Sequence, residues 1–156
     1  MPVTEEALFE ETYRAYGPAL YRFCLAQMGR PADAEDVLQE VFCKRLYRAP
    51  AFETPEHERR WLFRVAVNQC RDALRQHRRA AEPLPEDLPA PEGAELGLWE
   101  LVKALPEKQR EVVHLHYAEG WSVEEIARIL GTTVPAVKMR LLRGREALRK
   151  EWKEEL

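Results

Sequence analysis

The chain has 156 residues and a mass of 18.2 kDa, the size of one ordinary domain or two undersized ones. With 46% apolar and 33% charged residues and only 7 Gly it is not a disordered, collagenous or low-complexity chain, and its 18 Val, Ile and Thr residues are too few for a large sheet, so an all-α fold is expected. The net charge of −3 taken alone argues against a nucleic-acid partner, but the excess is local: residues 1–79 carry +1, residues 80–98 carry −5 and residues 99–156 carry +1.

The first helical segment begins near Thr4, with Glu5 and Glu6 in the first turn where the helix dipole favours acids. Gly17-Pro18 predicts an interruption, after which the helix resumes as Ala19 to Met28 and stops at Gly29-Arg30-Pro31. The next helix starts near Asp33. It places Val37, Leu38, Val41, Phe42 and Leu46 on one side and Asp33, Asp36, Gln39 and Glu40 on the other; on periodicity alone the acidic side reads as a solvated face. After a loop of turn residues from Arg48 to Pro55, a third helix runs from about His57 to Arg79.

That third helix carries a basic stripe. At about 100° per residue, Arg60, Trp61, Arg64, Asn68, Arg71, Arg75, Arg78 and Arg79 share a face about 100° wide, with only Asp72 at its margin. Leu62, Ala66, Cys70 and Ala73 form the opposite face, suited to packing on the first two helices. Crowded arginines with almost no acid repel one another unless a polyanion is present. Guanidinium groups contact phosphate in bidentate fashion, while a Trp and an Asn among them offer a stacking plane and a base-edge partner. Nucleic-acid binding is the favoured reading of this face, and a solvated or protein-binding surface is the alternative.

Pro83, Pro85, Pro89 and Pro91, mixed with Glu82, Glu86, Asp87 and Glu92, neither continue a helix nor bury an apolar face. They predict a linker over residues 80–94 between two small helical domains, with three to four helices before it and four after.

In the C-terminal half Leu98, Leu101, Val102 and Leu105 mark a helix ended by Pro106, and Glu107 to Tyr117 form another, stopped by Gly120. Ser122-Val-Glu-Glu125 is a capping box that opens a helix bearing Ile126, Ala127, Ile129 and Leu130 and closing at Gly131. Thr132 or Thr133 caps the last helix, with Pro135 in its first turn. The short turn and the small Ala127 fit a helix-turn-helix. In the last helix Val137, Leu141, Gly144 and Leu148 line up inward, whereas Met139 and Leu142 point elsewhere among Lys138, Arg140 and Arg143. Such a face suits a helix in the major groove, with cations on phosphate or guanine and apolar groups on thymine methyls. A plain helical hairpin with a charged outer face is the alternative.

No enzyme, metal or cofactor site is expected. His114 and His116 lie about 200° apart on a helix and cannot share an ion. Cys24, Cys43 and Cys70 are odd in number, lack C-x-x-C spacing and read as small core residues. The longest stretch without a charged side chain, Ile129 to Val137, has nine residues against the ~20 that cross a bilayer, so membrane insertion is not expected. The start Met-Pro-Val-Thr-Glu-Glu has no basic segment followed by an apolar one, and the expected compartment is the cytoplasm.

Asp33-Ala-Glu-Asp-Val-Leu-Gln-Glu-Val-Phe42, Trp61-Leu-Phe-Arg-Val-Ala-Val-Asn68, Leu105-Pro-Glu-Lys-Gln-Arg-Glu-Val-Val113 and the stretch from Ser122 to Leu148 cover nearly the whole chain. Together, in this order, they resemble a bacterial sigma factor of the extracytoplasmic-function class (group 4 of the sigma-70 family), the two-domain minimal type. The resemblance implies that residues 1–79 are sigma region 2 and residues 95–156 sigma region 4. It turns Asp36, Gln39 and Glu40 from a solvated face into contacts with core RNA polymerase. It also implies that Arg60, Trp61, Arg64, Asn68, Arg71 and Arg75, with the loop before them, bind the minus-10 element as an opened single strand. A flipped base would be held within residues 48–58, by side chains the sequence does not assign. Thr133, Ala136, Lys138, Met139, Arg140 and Arg143 would read the duplex minus-35 element, where Met139 departs from the small Ser frequent in the family. An anti-sigma factor is the further partner the resemblance implies, and the chain is expected to be a monomer when free of partners.

The linker passes a geometric check. Elements about 17 base pairs apart are separated by roughly 60 Å, and about 15 extended residues reach roughly 50 Å, leaving the remainder to the domains. Two readings follow: a promoter-specificity subunit that directs RNA polymerase to promoters in response to stress, or a stand-alone helix-turn-helix regulator with an N-terminal ligand or dimerisation domain.

Overall fold

The computed structural model describes residues 5–79 and 96–155, in which helices are the sole regular elements. The chain divides into two compact units, Met1–Glu82 and Pro83–Leu156. The linker expected over 80–94 lies outside the described residues, as does Thr4.

The N-terminal unit packs three helices, α1 (Glu5–Met28), α2 (Pro31–Arg48) and α3 (Pro55–Arg79), each against the other two. Their common core is Leu20, Phe23 and Cys24 of α1, Val37, Leu38, Val41 and Phe42 of α2, and Leu62, Phe63, Ala66, Val67 and Cys70 of α3, all buried. Phe23 and Phe63 meet edge to face at 6.1 Å between centroids. Contrary to the expected interruption, α1 runs unbroken through Pro18. Proline crowds the residue before it partly through that residue's Cβ, and Gly17 has none. The cost of one missing amide is met by Thr12 on one side and Leu20 and Phe23 on the other, all buried. Gly29, at φ 87°, then ends α1, and Pro31 opens α2 at its first position, where no amide is needed.

Two side chains expected inside lie outside. Cys43 is exposed, whereas Cys24 and Cys70 are buried; at 100° per residue Cys43 falls about 20° from Asp36, on the outward face of α2. Leu46 is 40% exposed. The buried line Val37–Val41 is continued by Arg45 rather than by Leu46, which follows Leu38 and Phe42 to the edge of a groove between α1 and α2.

The C-terminal unit is built from α4 (Leu96–Lys103), α5 (Glu107–Val113), α6 (Val123–Leu130) and α7 (Val134–Glu155). The single helix expected from Glu107 to Tyr117 is α-helical only to Val113 and continues as a π-helical turn over His114–Ala118. Two buried or half-buried clasps hold the wider turn: His114 Nε2 is hydrogen-bonded to Glu119 Oε2 at 2.9 Å, and His116 Nδ1 to the Trp121 carbonyl at 2.8 Å. Both histidines are thus structural, and Trp121 is 1% exposed in the same core as Val112, Leu115 and Ile126.

The helix-turn-helix itself forms as the sequence predicts. Ser122 Oγ accepts from the Glu125 amide at 3.1 Å while Glu125 Oε1 accepts from the Ser122 amide, completing the capping box. Gly131, at φ 66°, closes α6 in the left-handed conformation. Thr133 Oγ1 accepts from the Ala136 amide and caps α7. Val137, Leu141 and Gly144 of α7 are buried, and Leu148 is half-buried.

Candidate nucleic-acid and polymerase interfaces

On α3 the buried positions Leu62, Phe63, Ala66, Val67, Cys70 and Leu74 fix the helix rotation, so the polar residues between them must face outward. Arg64, Asn68, Arg75, Arg78 and Arg79 are exposed, and Arg60, Trp61 and Arg71 are half-buried along the same side. Asp72, the acid at the margin, is engaged by Arg75 Nη2 at 2.5 Å. The stripe is therefore a single cationic face about five and a half turns long, from Arg60 to Arg79, with an indole near its N-terminal end.

The loop leading into α3 is tied to that indole. Phe52 lies edge to face with Trp61 at 5.7 Å and with His57 at 5.2 Å, and the Arg45 guanidinium sits over the Phe52 ring at 5.0 Å. Arg45 Nε and Nη2 both donate to Glu58 Oε2, at 2.9 and 2.6 Å. Thr54 Oγ1 accepts from the His57 amide at 3.0 Å and caps α3, while the Glu53 amide donates to His57 Nδ1 at 3.4 Å. Tyr16 of α1 donates its hydroxyl to the Pro55 carbonyl at 3.5 Å. Burial, and after it the neighbouring Glu58 carboxylate, raise the Tyr16 hydroxyl above its ordinary 10.0.

On α2 Asp36, Gln39 and Glu40 are exposed together. Asp36 and Glu40 look onto a groove shared with Asp33, Gln69, Asp72 and Gln76, and Gln39 borders a second, largely apolar groove lined by Phe9, Tyr13, Tyr21, Leu38 and Tyr47. Tyr47 is 80% exposed. No apolar periodicity accounts for an aromatic there; its position one turn beyond Cys43 on the outward side was the available signal.

On α7 Lys138, Met139 and Arg143 are exposed, and Ala136 and Arg140 are half-buried. Thr133 is exposed, but its hydroxyl oxygen is already engaged in capping α7. Met139 is 47% and Leu142 43% exposed, so an apolar pair is flanked by cations on an otherwise polar helix face. Arg145 lies to the other side, donating to the Tyr117 hydroxyl at 3.0 Å. Among the described residues no helix is long and apolar enough to cross a membrane.

Residues 12–80 match the family described as Sigma-70 region 2, and residues 95–148 the family described as Sigma-70, region 4. The chain is 28% identical to the ECF RNA polymerase sigma factor SigW of Bacillus subtilis, over 96% of this chain and 91% of the relative. It is 32% identical to the RNA polymerase sigma factor CarQ of Myxococcus xanthus, over 90% of this chain and 87% of the relative. Among solved structures it is similar to the sigma factor RpoE in complex with the anti-sigma factor NepR from Bartonella quintana, with a TM-score of 0.81 and 25% identity over 93% of this chain and 96% of that one. It is also similar to CnrH in complex with the cytosolic domain of CnrY, with a TM-score of 0.74 and 28% identity over 98% and 92%.

Proposed function

Because the chain belongs to the sigma-70 family as an extracytoplasmic-function sigma factor, which directs RNA polymerase to promoters, we propose how its residues divide that work. Arg60, Trp61, Arg64, Asn68, Arg71 and Arg75 of α3 hold the opened minus-10 strand. Lys138, Met139, Arg140 and Arg143, with Ala136 and Thr133 at the helix start, read the minus-35 duplex. Asp36, Gln39 and Glu40 dock on core polymerase. Residues 1–79 act as region 2, residues 95–156 as region 4 and residues 80–94 as the acidic tether between them.

The observation that carries this reading is that two cationic faces of different make-up stand on separate units. The α3 face combines arginine with an indole and an amide, the equipment for stacked single-stranded bases. The α7 face combines cations with apolar side chains at the start of the second helix of a helix-turn-helix, the equipment for a major groove. The alternative of a stand-alone regulator gains no support, since the N-terminal half matches sigma region 2 rather than a ligand or dimerisation domain.

On this reading the factor is of the minimal two-domain, group 4 type, works in the cytoplasm as a monomer until it meets a partner, and answers a stress signal through an anti-sigma factor. The solved relatives RpoE and CnrH are each found in complex, the first with an anti-sigma factor. The test is transcription reconstituted from purified chain and core polymerase on genomic promoter fragments. Promoter-directed transcripts that require the added chain are expected. Absence of both polymerase binding and transcripts refutes the reading.

A further inference from the structure

We infer that Arg45, Phe52 and Glu58 are positioning residues that hold the loop from Ala49 to Thr54 in its strand-binding form before DNA arrives. The inference rests on the minus-10 role of α3 given above, and it adds that the loop is built in advance rather than moulded by the strand.

Arg45 is the key side chain. It continues the buried line of α2, where another apolar residue would extend the core, and it is held from two directions. Two of its nitrogens donate to one oxygen of Glu58, and its guanidinium plane covers Phe52. Both partners of the ion pair are largely shielded, with side chains 18% and 17% exposed. An arginine so placed is not available to a phosphate. Its chemistry is spent on joining the end of α2, the loop and the first turn of α3.

Phe52 is the point the clasp grips. A lone aromatic in a segment of Ala, Pro, Glu and Thr has no core of its own, yet three rings or planes surround it: Arg45, His57 and Trp61. Backbone contacts complete the lock, with Thr54 capping α3 and the Glu53 amide bound to the His57 ring. The loop therefore carries interactions along its length from Phe52 to Thr54, and Trp61, itself a proposed base-stacking residue, is oriented by the same cluster.

The consequence is thermodynamic. A loop that occupies its binding form only a fraction of the time binds with an apparent dissociation constant divided by that fraction. If removing the clasp lets the loop hold that form about a tenth of the time, strand affinity falls about ten-fold with no strand contact removed.

The test uses holoenzyme assembled from core polymerase and the full chain. The probe is the fluorescein-labelled single-stranded DNA that wild-type holoenzyme enriches from a random 20-mer pool, and affinity is read by anisotropy. Arg45→Met, Glu58→Gln and Phe52→Ala are each expected to weaken probe binding about ten-fold. Arg45→Lys, which keeps the cation over Phe52 and a donor to Glu58, is expected to stay within about three-fold of wild type. Core-polymerase affinity should not move in any of them, and far-ultraviolet circular dichroism should remain that of the folded chain. Hydrogen exchange at the Glu53, His57 and Glu58 amides should accelerate in the weakened variants, which separates a loosened loop from a lost DNA contact. Unchanged probe affinity in the three variants, or equal weakening by Arg45→Lys and Arg45→Met, overturns the clasp while leaving the strand-reading role intact. Failure of wild-type holoenzyme to enrich any sequence overturns both.

Discussion

At Gly144 the last helix has no room for a methyl group: a Cβ there would stand 2.8 Å from Val113 Cγ2 and 3.8 Å from Gln109 Cβ. Val113 is buried and, being β-branched, has little rotamer freedom with which to retreat. Gly144→Ala gains about 1 kcal/mol of helix propensity but incurs an overpacking cost of about 1–3 kcal/mol. The expected outcome is a C-terminal unit destabilised by about 1 kcal/mol, seen as a thermal midpoint lowered by roughly 4–8 °C. Tyr16 makes a different demand. Because the folded unit holds its hydroxyl proton more tightly than the unfolded chain does, the associated stability is complete below the ordinary 10.0 and is lost as pH climbs past it. Tyr16→Phe should therefore flatten the fall in urea midpoint as pH rises above about 10 relative to wild type, the window that the upward shift selects. Neither effect was legible in the sequence. Gly144 could be placed on the inward line of α7 by counting, but its partner Val113 lies on another helix, and the contact of Tyr16 with Glu58 spans the rest of α1, the whole of α2 and the loop before α3.

Among the elements, α3 and α7 were the most legible because the side chains that define each face repeat at helical spacing and the opposite face is apolar. The positions of Asp36, Gln39 and Glu40 were legible too; what they meet was not, since an acidic helix face looks the same in water and at an interface. A division of labour between α2 and α3 has a sharp test. Arg64→Glu and Arg71→Glu should weaken promoter opening, read by permanganate footprinting, while core-polymerase affinity stays within about two-fold of wild type. Asp36→Arg should do the reverse, weakening polymerase binding, because it replaces an exposed acid by a base on the proposed docking face. If both classes of variant abolish the same step, the assignment of faces is wrong. The π-helical turn was beyond sequence reading for a physical reason. Periodicity from Glu107 to Tyr117 favours an α-helix locally, and the wider turn exists because His114 and His116 find Glu119 and Trp121 five residues on. The run through Pro18 was likewise decided by packing against α2 and α3, which local propensity does not contain.

Across the whole molecule, each unit has its own buried core, and the charge average conceals what matters for DNA. The −5 of residues 80–98 masks the slight positive charge, +1 each, of residues 1–79 and 99–156, so composition alone pointed away from the partner and segmentation pointed toward it. If each unit reads DNA as proposed, joining them on one chain turns the second contact into an intramolecular event with an effective concentration in the millimolar range. Residues 1–79 and 96–156, produced separately, should each keep their helical circular dichroism. Mixed at about 1 μM with core polymerase, they should support promoter-directed transcription at least 10²-fold less well than the intact chain. Transcription close to that of the intact chain would mean that polymerase alone brings the two units together.

The outward thiol on α2 has a practical consequence. Of three cysteines only Cys43 is accessible, and it stands one turn from Gln39. A maleimide dye should attach to the native chain at one place, with a stoichiometry of one, and report docking of polymerase by a change in its emission. The wild-type sequence thus already contains the attachment point for a site-specific optical sensor of the proposed docking.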